Sequence, residues 1–266
     1  MIRSYFGIEA APFDPRHVCL LPQQEEVLDT LRVHCQQGGL CLILGEPGTG
    51  KSVLKQALID SDPKRLIAPA IARTLHTYLN TLKVLCEAFA IDFDGGAHTC
   101  EKRIIDEAFR LNRQGKMIAP VIDDAHLMDV LCLRRLRLLL EDFPKNHNLV
   151  LVAQPCLVRT LALAVNEDIR SRVTYSVAMM RLTNEQTQAF ILDQFDRAGL
   201  AHNVFTDRAL NLIARSSDGV LRKARNLCLG CLVEAIRDQT RTVDIDHVNA
   251  VLKQPHWRAH HDLQQT

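Results

Sequence analysis

The chain has almost no net charge: 32 lysines and arginines stand against 31 aspartates and glutamates. That excludes a global field drawing it onto a polyanion. Any nucleic-acid contact must come from a local basic patch, or from patches joined by oligomerisation. No run of about 18 apolar residues occurs, and Met1-Ile2-Arg3-Ser4 does not open a secretory leader. The expectation is a cytoplasmic protein without a membrane span. Nine cysteines are scattered without framework spacing, which predicts reduced, mostly buried thiols. Cys228-Leu229-Gly230-Cys231 has C-x-x-C form but no second ligand pair, and it lies in a helix-like segment. Two core cysteines are expected there rather than a metal or redox site. The histidines form no metal pattern, and there is no internal repeat or low-complexity tract.

The chain does have the means to build a core: 47% of its 266 residues are apolar and 24% charged. It also has one organising stretch, Gly45-Glu46-Pro47-Gly48-Thr49-Gly50-Lys51-Ser52, between the apolar run Leu40–Leu44 and the helix-compatible Val53–Ile59. Strand, glycine-rich turn and helix are the setting in which this pattern binds phosphate. Glycines let the backbone N–H groups converge on phosphate oxygens, helped by the positive end of the following helix. Lys51 would reach the β and γ phosphates, and Ser52 would offer its hydroxyl to magnesium. A nucleoside-triphosphate site is expected over residues 45–53, with Val53 in the first helical turn.

The rest of the first two thirds alternates. Pro12-Phe13-Asp14-Pro15 and Tyr5-Phe6-Gly7-Ile8 suggest an ordered, extended N-terminal arm, either packed on the core or part of a base pocket or subunit contact. Helices are expected over Pro22–Gln37, around Leu79–Phe89, over Cys100–Gln114 and over Val130–Phe143, the last with Leu131 inward. Its other face carries Arg134, Arg135 and Arg137, a solvated basic face or a contact surface. Strands are expected at Leu66–Ile71, Met117–Ile122, Leu149–Ala153 and Val173–Val177, with an irregularity at Pro120. The strand ending at Ile122 runs into Asp123-Asp124, as a Walker B segment requires. Asp123 would hold the magnesium shell through water, and Asp124 would orient and deprotonate the attacking water. Gln154, at the carboxyl end of its strand, is placed to touch the γ-phosphate or that water. Arg170 and Arg172 lie just before the last strand. After Leu182 the pattern turns all-helical, starting with the capping box Thr183-Asn184-Glu185-Gln186. Later helices start near Thr206, Val220 and Asp244. Residues 254–266 read as a loose polar tail.

So ordered, the chain resembles an AAA+ ATPase. The resemblance implies an α/β P-loop NTPase fold: a parallel five-stranded sheet flanked by helices, then a small all-helical lid. Expected boundaries are an arm at 1–20, a nucleotide-binding domain at 21–182, a lid at 183–253 and a tail at 254–266. Tyr5-Phe6-Gly7-Ile8, Asp-Asp-Ala-His, Val152-Ala153-Gln154-Pro155 and Asp218-Gly219-Val220-Leu221-Arg222 resemble the ExeA/GspA-like group, akin to the transposition ATPases TnsC, TniB and MuB. That group implies sensor 1 at Gln154, sensor 2 at Arg222 and an arginine finger at Arg172, with Arg170 as second choice. A finger acting on a neighbour implies a homo-oligomer, and is worth about 10³–10⁵ in rate. The family usually has Asp-Glu where Asp124 stands, and proline where Leu221 stands, so slow hydrolysis is expected. The implied function is an ATP- and Mg²⁺-dependent ring or filament on double-stranded DNA, without sequence preference, that recruits a transposase. Lys102, Arg103, Arg134, Arg135 and Arg137 would supply its basic material. The alternatives are a secretion-associated ATPase, ranked lower because only residues 254–266 follow the last lid helix, and a nucleotide-switched scaffold that binds no DNA.

Overall fold

The computed structural model describes residues 1–14, 20–62, 64, 66–71, 77–93, 95–145 and 147–257. The end of the expected arm (15–19) and most of the expected tail (258–266) lie outside the described residues. In chain order come α1 (Ile2–Phe6), α2 (Pro22–Gln37), β1 (Gly39–Leu44), α3 (Lys51–Asp60), β2 (Leu66–Ile67), β3 (Ala70–Ile71), α4 (Tyr78–Ala88) and α5 (Ala97–Arg113). Then come β4 (Met117–Ile118), β5 (Val121–Ile122), α6 (Val130–Glu141), β6 (Asn148–Ala153), α7 (Cys156–Leu161), α8 (Glu167–Arg170) and β7 (Val173–Ala178). Four helices follow: α9 (Asn184–Ala198), α10 (Asp207–Ser217), α11 (Leu221–Arg237) and α12 (Ile245–Leu252).

Two compact units emerge. One is Leu20–Glu46 with Lys51–Met179; the other is Met1–Cys19, Pro47–Gly50 and Met180–Thr266. The first is built on a parallel sheet of five strands, among the described residues, in the order β3-β5-β6-β1-β7. β6 is buried along its whole length, and β1 at all but its first residue. That is why both read as unbroken apolar runs rather than alternating ones. Helical side chains cover the sheet: Leu31 of α2 and Leu54 and Leu58 of α3 in one cluster, Leu82, Ile104, Leu133 and Leu136 in another.

Two expected strands are each split. Leu66–Ile71 divides into β2 and β3, and Met117–Ile122 into β4 and β5, with β2 and β4 forming a separate two-stranded sheet. The breaks fall at Pro69 and Pro120, which have no N–H to give a ladder. Their carbonyls still accept, from Val121 at 2.9 Å and from Val150 at 2.9 Å, so the five-strand layout survives. Other expectations are corrected in detail. The arm begins as the short helix α1. Leu131 on α6 is 57% exposed instead of inward, and Leu79 on α4 is also exposed. Cys132, Leu133, Leu136 and Leu139 are the buried face of α6. A further helix, α7, occupies a stretch for which the sequence pattern gave no element.

The helical unit has its own core of Ile191, Phe195, Leu210, Ile213, Leu227 and Leu232. Ile8 and Phe13 of the arm join it, with Phe13 lying 5.9 Å from Phe190 and 6.1 Å from Phe195, ring centre to ring centre. Cys228 and Cys231 are fully buried there, unpaired, and burial pushes the Cys231 thiol up to about 12. They are inert core thiols. Helix starts are closed by local oxygens: Thr183 accepts from Gln186 N–H, Thr206 from Ala209 N–H and Asp244 from Ile245 N–H.

Candidate functional site

Parallel pairing fixes which residues meet at one edge of the sheet. Leu44 is level with Ala153, so β1 and β6 end together, and Ile122 is level with Leu151, so β5 ends two residues short of them on the same edge. The residues that follow are Gly45, Gln154 and Asp123. Gly45 N–H donates to Ala153 carbonyl at 3.1 Å, and Asp123 N–H to Ile71 carbonyl at 3.1 Å. The carboxyl edge of a parallel sheet is where ligands of open α/β folds gather.

Lys51 opens α3 and is 9% exposed. Its ammonium donates to the carbonyls of Gly45 at 2.7 Å and Glu46 at 2.8 Å. Ser52, next on the helix, is exposed, and Val53 is half-buried. The loop tip, Pro47–Gly50, groups with the helical unit. There Arg222 N–H donates to Gly48 carbonyl at 3.2 Å. Gly48 has φ +88°, and a Cβ on it would stand 2.7 Å from Cβ of Arg222, so only glycine fits. Gly219 is also constrained: at φ +68°, a Cβ would meet Leu182 carbonyl oxygen at 2.2 Å. The Asp218–Arg222 motif thus sets the close approach from which α11 begins.

Asp123 is doubly held. Its Oδ1 accepts the Asp124 N–H at 3.0 Å, and its Oδ2 lies 2.5 Å from the Lys55 ammonium, with those side chains 20% and 17% exposed. Asp124 has a left-handed backbone, φ 50° and ψ 36°, which turns its half-exposed carboxylate off the strand line. His126 sits behind it. Its Nδ1 accepts the Gln154 N–H at 3.4 Å and lies 4.0 Å from Asp124 Oδ1. His126 therefore fixes the backbone at Gln154.

The arginines before β7 are tied to acids within their own unit. Arg172, 62% exposed, reaches Glu141 at 3.0 Å, and Arg170 pairs with Glu167. The α6 arginines are engaged too. Arg134 grips Asp168 at 2.7 and 3.1 Å, which holds the Asp168 carboxyl below its usual range. Arg137 bonds Glu141 at 2.5 Å. Arg135 lies 4.5 Å over the ring of Tyr78, whose hydroxyl is pushed up by burial and by its bond to Glu101. The expected basic face of α6 is thus a set of internal partners. Lys102 and Arg103 on α5 are exposed, Arg103 donating to Asp92 carbonyl at 3.0 Å. Sequence reasoning missed Lys55, Glu141 and His126. Only Lys55 had a legible signal, its i+4 spacing from Lys51 on one helix face.

This geometry is that of a P-loop NTPase of the AAA+ class. Residues 33–161 match the AAA domain family. The chain is 26% identical over 245 residues to General secretion pathway protein A of Aeromonas hydrophila, covering 88% of this chain and 45% of that protein. The chain is similar to that protein and spans less than half of its length. Among solved structures, the Aeropyrum pernix ORC2 protein with ADPNP and ADP superimposes with a TM-score of 0.73 at 15% identity, covering 97% of this chain and 75% of that one. The Aeropyrum pernix ORC1 protein in complex with DNA gives 0.66 at 18%, covering 87% and 65%. At such identities these likenesses establish the fold. No helix among the described residues is long and apolar enough to cross a membrane.

Proposed function

We propose that the protein binds ATP with magnesium, hydrolyses it slowly, and uses the bound nucleotide to assemble a homo-oligomeric ring or helical filament on double-stranded DNA. In this reading it regulates DNA transposition by selecting target DNA without sequence preference and recruiting a transposase. The observation that carries the nucleotide part is the meeting of the loop start, Gln154 and Asp123 at one sheet edge.

The roles follow from the donors present. Backbone N–H groups within residues 45–53, other than Pro47 and the Gly45 N–H that bonds Ala153, hold the phosphates, and Lys51 exchanges two carbonyls for phosphate oxygens. Among the described residues no cluster of three or more His, Cys, Asp or Glu could hold a metal. Magnesium bound with a triphosphate needs few protein ligands, and the Ser52 hydroxyl with Asp123 fits that demand. When bound, it would neutralise charge building on the β and γ phosphates. Asp124 takes the proton of the attacking water and Gln154 orients that water. Arg222 acts as sensor 2. Arg172, with Arg170 as second choice, leaves its acidic partner to complete a neighbour's site. Lys51→Ala should weaken ATP binding about 10- to 100-fold by calorimetry, the worth of a charge-assisted bond. Unchanged affinity would sink the assignment.

For DNA, the exposed Lys102 and Arg103 and the solved relative described in complex with DNA support the reading. The test is DNA binding with ATP, with ADP and without nucleotide at rising salt. Binding that needs ATP and falls steeply with salt is expected. Absence of binding in every state would favour the second reading, a secretion-associated ATPase, which the likeness to General secretion pathway protein A supports.

A further inference from the structure

We propose that Lys55 sets the magnesium concentration the protein needs, by occupying the Asp123 carboxylate until the metal arrives. This rests on the ATP–magnesium reading above. Lys55 follows Ser52 by three residues on α3 and shares the helix face of Lys51. Its ammonium lies 2.5 Å from Asp123 Oδ2, and both side chains are largely buried. Asp123 Oδ1 is taken by the Asp124 N–H. Both oxygens of the acid are therefore engaged.

Phosphate binding has no need of this second lysine, because Lys51 already faces the loop. What Lys55 does is neutralise a carboxylate that would otherwise be buried without a counter-charge. A divalent cation held by Asp123 through water would stand a few ångströms from that ammonium, and like charges at such range repel. Metal binding at Asp123 must therefore displace the ammonium from the carboxylate. The pair raises the magnesium level at which the metal–nucleotide complex forms, and it spares the acid an unpaired charge until the metal binds.

The experiment uses the full chain and a fluorescent ribose-labelled ATP, titrated with magnesium chloride. Wild type, Lys55→Met and Lys55→Arg are compared, alone and combined with Asp123→Asn. Lys55→Met should lower the half-saturating magnesium about tenfold, since no ammonium then competes for the Asp123 carboxylate. Lys55→Arg, which keeps the charge, should stay near wild type. Asp123→Asn should erase the difference between Lys55 and Met. An equal or higher magnesium requirement in Lys55→Met overturns the proposal, and so does a shift that persists with Asn at 123. If Lys55→Met does not fold, Lys55→Gln retains an N–H for Oδ2 and carries the same expectation. Wild type that binds labelled ATP without a Lys55 effect removes this inference alone. Wild type that binds none at any magnesium level removes the nucleotide reading as well.

Discussion

The two units bury polarity in different ways. In the helical unit Thr187 and Ser217 are fully buried, and each returns its hydroxyl proton to a nearby backbone carbonyl, of Thr183 and Ala214, both at 2.8 Å. Those bonds are local, neutral and complete. In the sheet unit the buried ammonium of Lys51 leans on two loop carbonyls, and Lys55 leans on Asp123 across 68 positions of chain. Those partners are ones that a phosphate or a metal could replace. Thr187 and Ser217 are satisfied within one turn of helix. Polarity buried for chemistry is held by groups brought from separate elements.

This contrast can be broken by experiment. The largest expected effect is on rate: Arg172→Ala should lower oligomeric ATP hydrolysis by about 10³-fold, with ATP affinity in calorimetry little changed. A comparable loss in Arg170→Ala and none in Arg172→Ala would exchange their roles. Next comes the helical core. Phe195 is fully buried between Phe13 and Phe205, and Phe195→Ala should cost about 3–5 kcal/mol in urea unfolding. Leu131→Ala, on an exposed position of α6, should stay within about 0.5 kcal/mol, and a large loss there would mean the residue is covered. Thr183→Ala should cost about 1 kcal/mol by removing the α9 cap.

The smallest effect concerns pH. The Asp168 carboxyl is held low by its bond to Arg134. A depressed carboxylate contributes stability that is present above its unfolded pKa, about 3.9, and is lost as pH falls through its folded value. Asp168→Asn should therefore lower stability slightly at neutral pH and hardly at pH 3, flattening the acid side of the stability profile. A loss at pH 3 as large as that at neutral pH would contradict it.

Some of this was legible because it is contiguous. Residues 45–52 carry their whole pattern in one stretch, and Thr183, Thr206 and Asp244 mark helix starts by side chains that bond within three residues. Other features were not. Leu131 fits the helical period as well as Leu133 does, and nothing local says which face of α6 meets the sheet. Arg134 and Arg137 read as a basic surface because Asp168 lies on another element.

The sequence by itself determined most element types, though not α1 or α7, together with the order of the two kinds of unit and the phosphate loop, because propensity, periodicity and capping act over a few residues. Tertiary structure alone decided the rest. It split two strands at prolines whose carbonyls still serve the sheet, and it brought Asp123 to Lys55 and Gln154 to His126. It also matched each α6 arginine to a partner. Those pairings depend on which strand ends lie side by side and which helix faces turn inward, and long-range packing settles both.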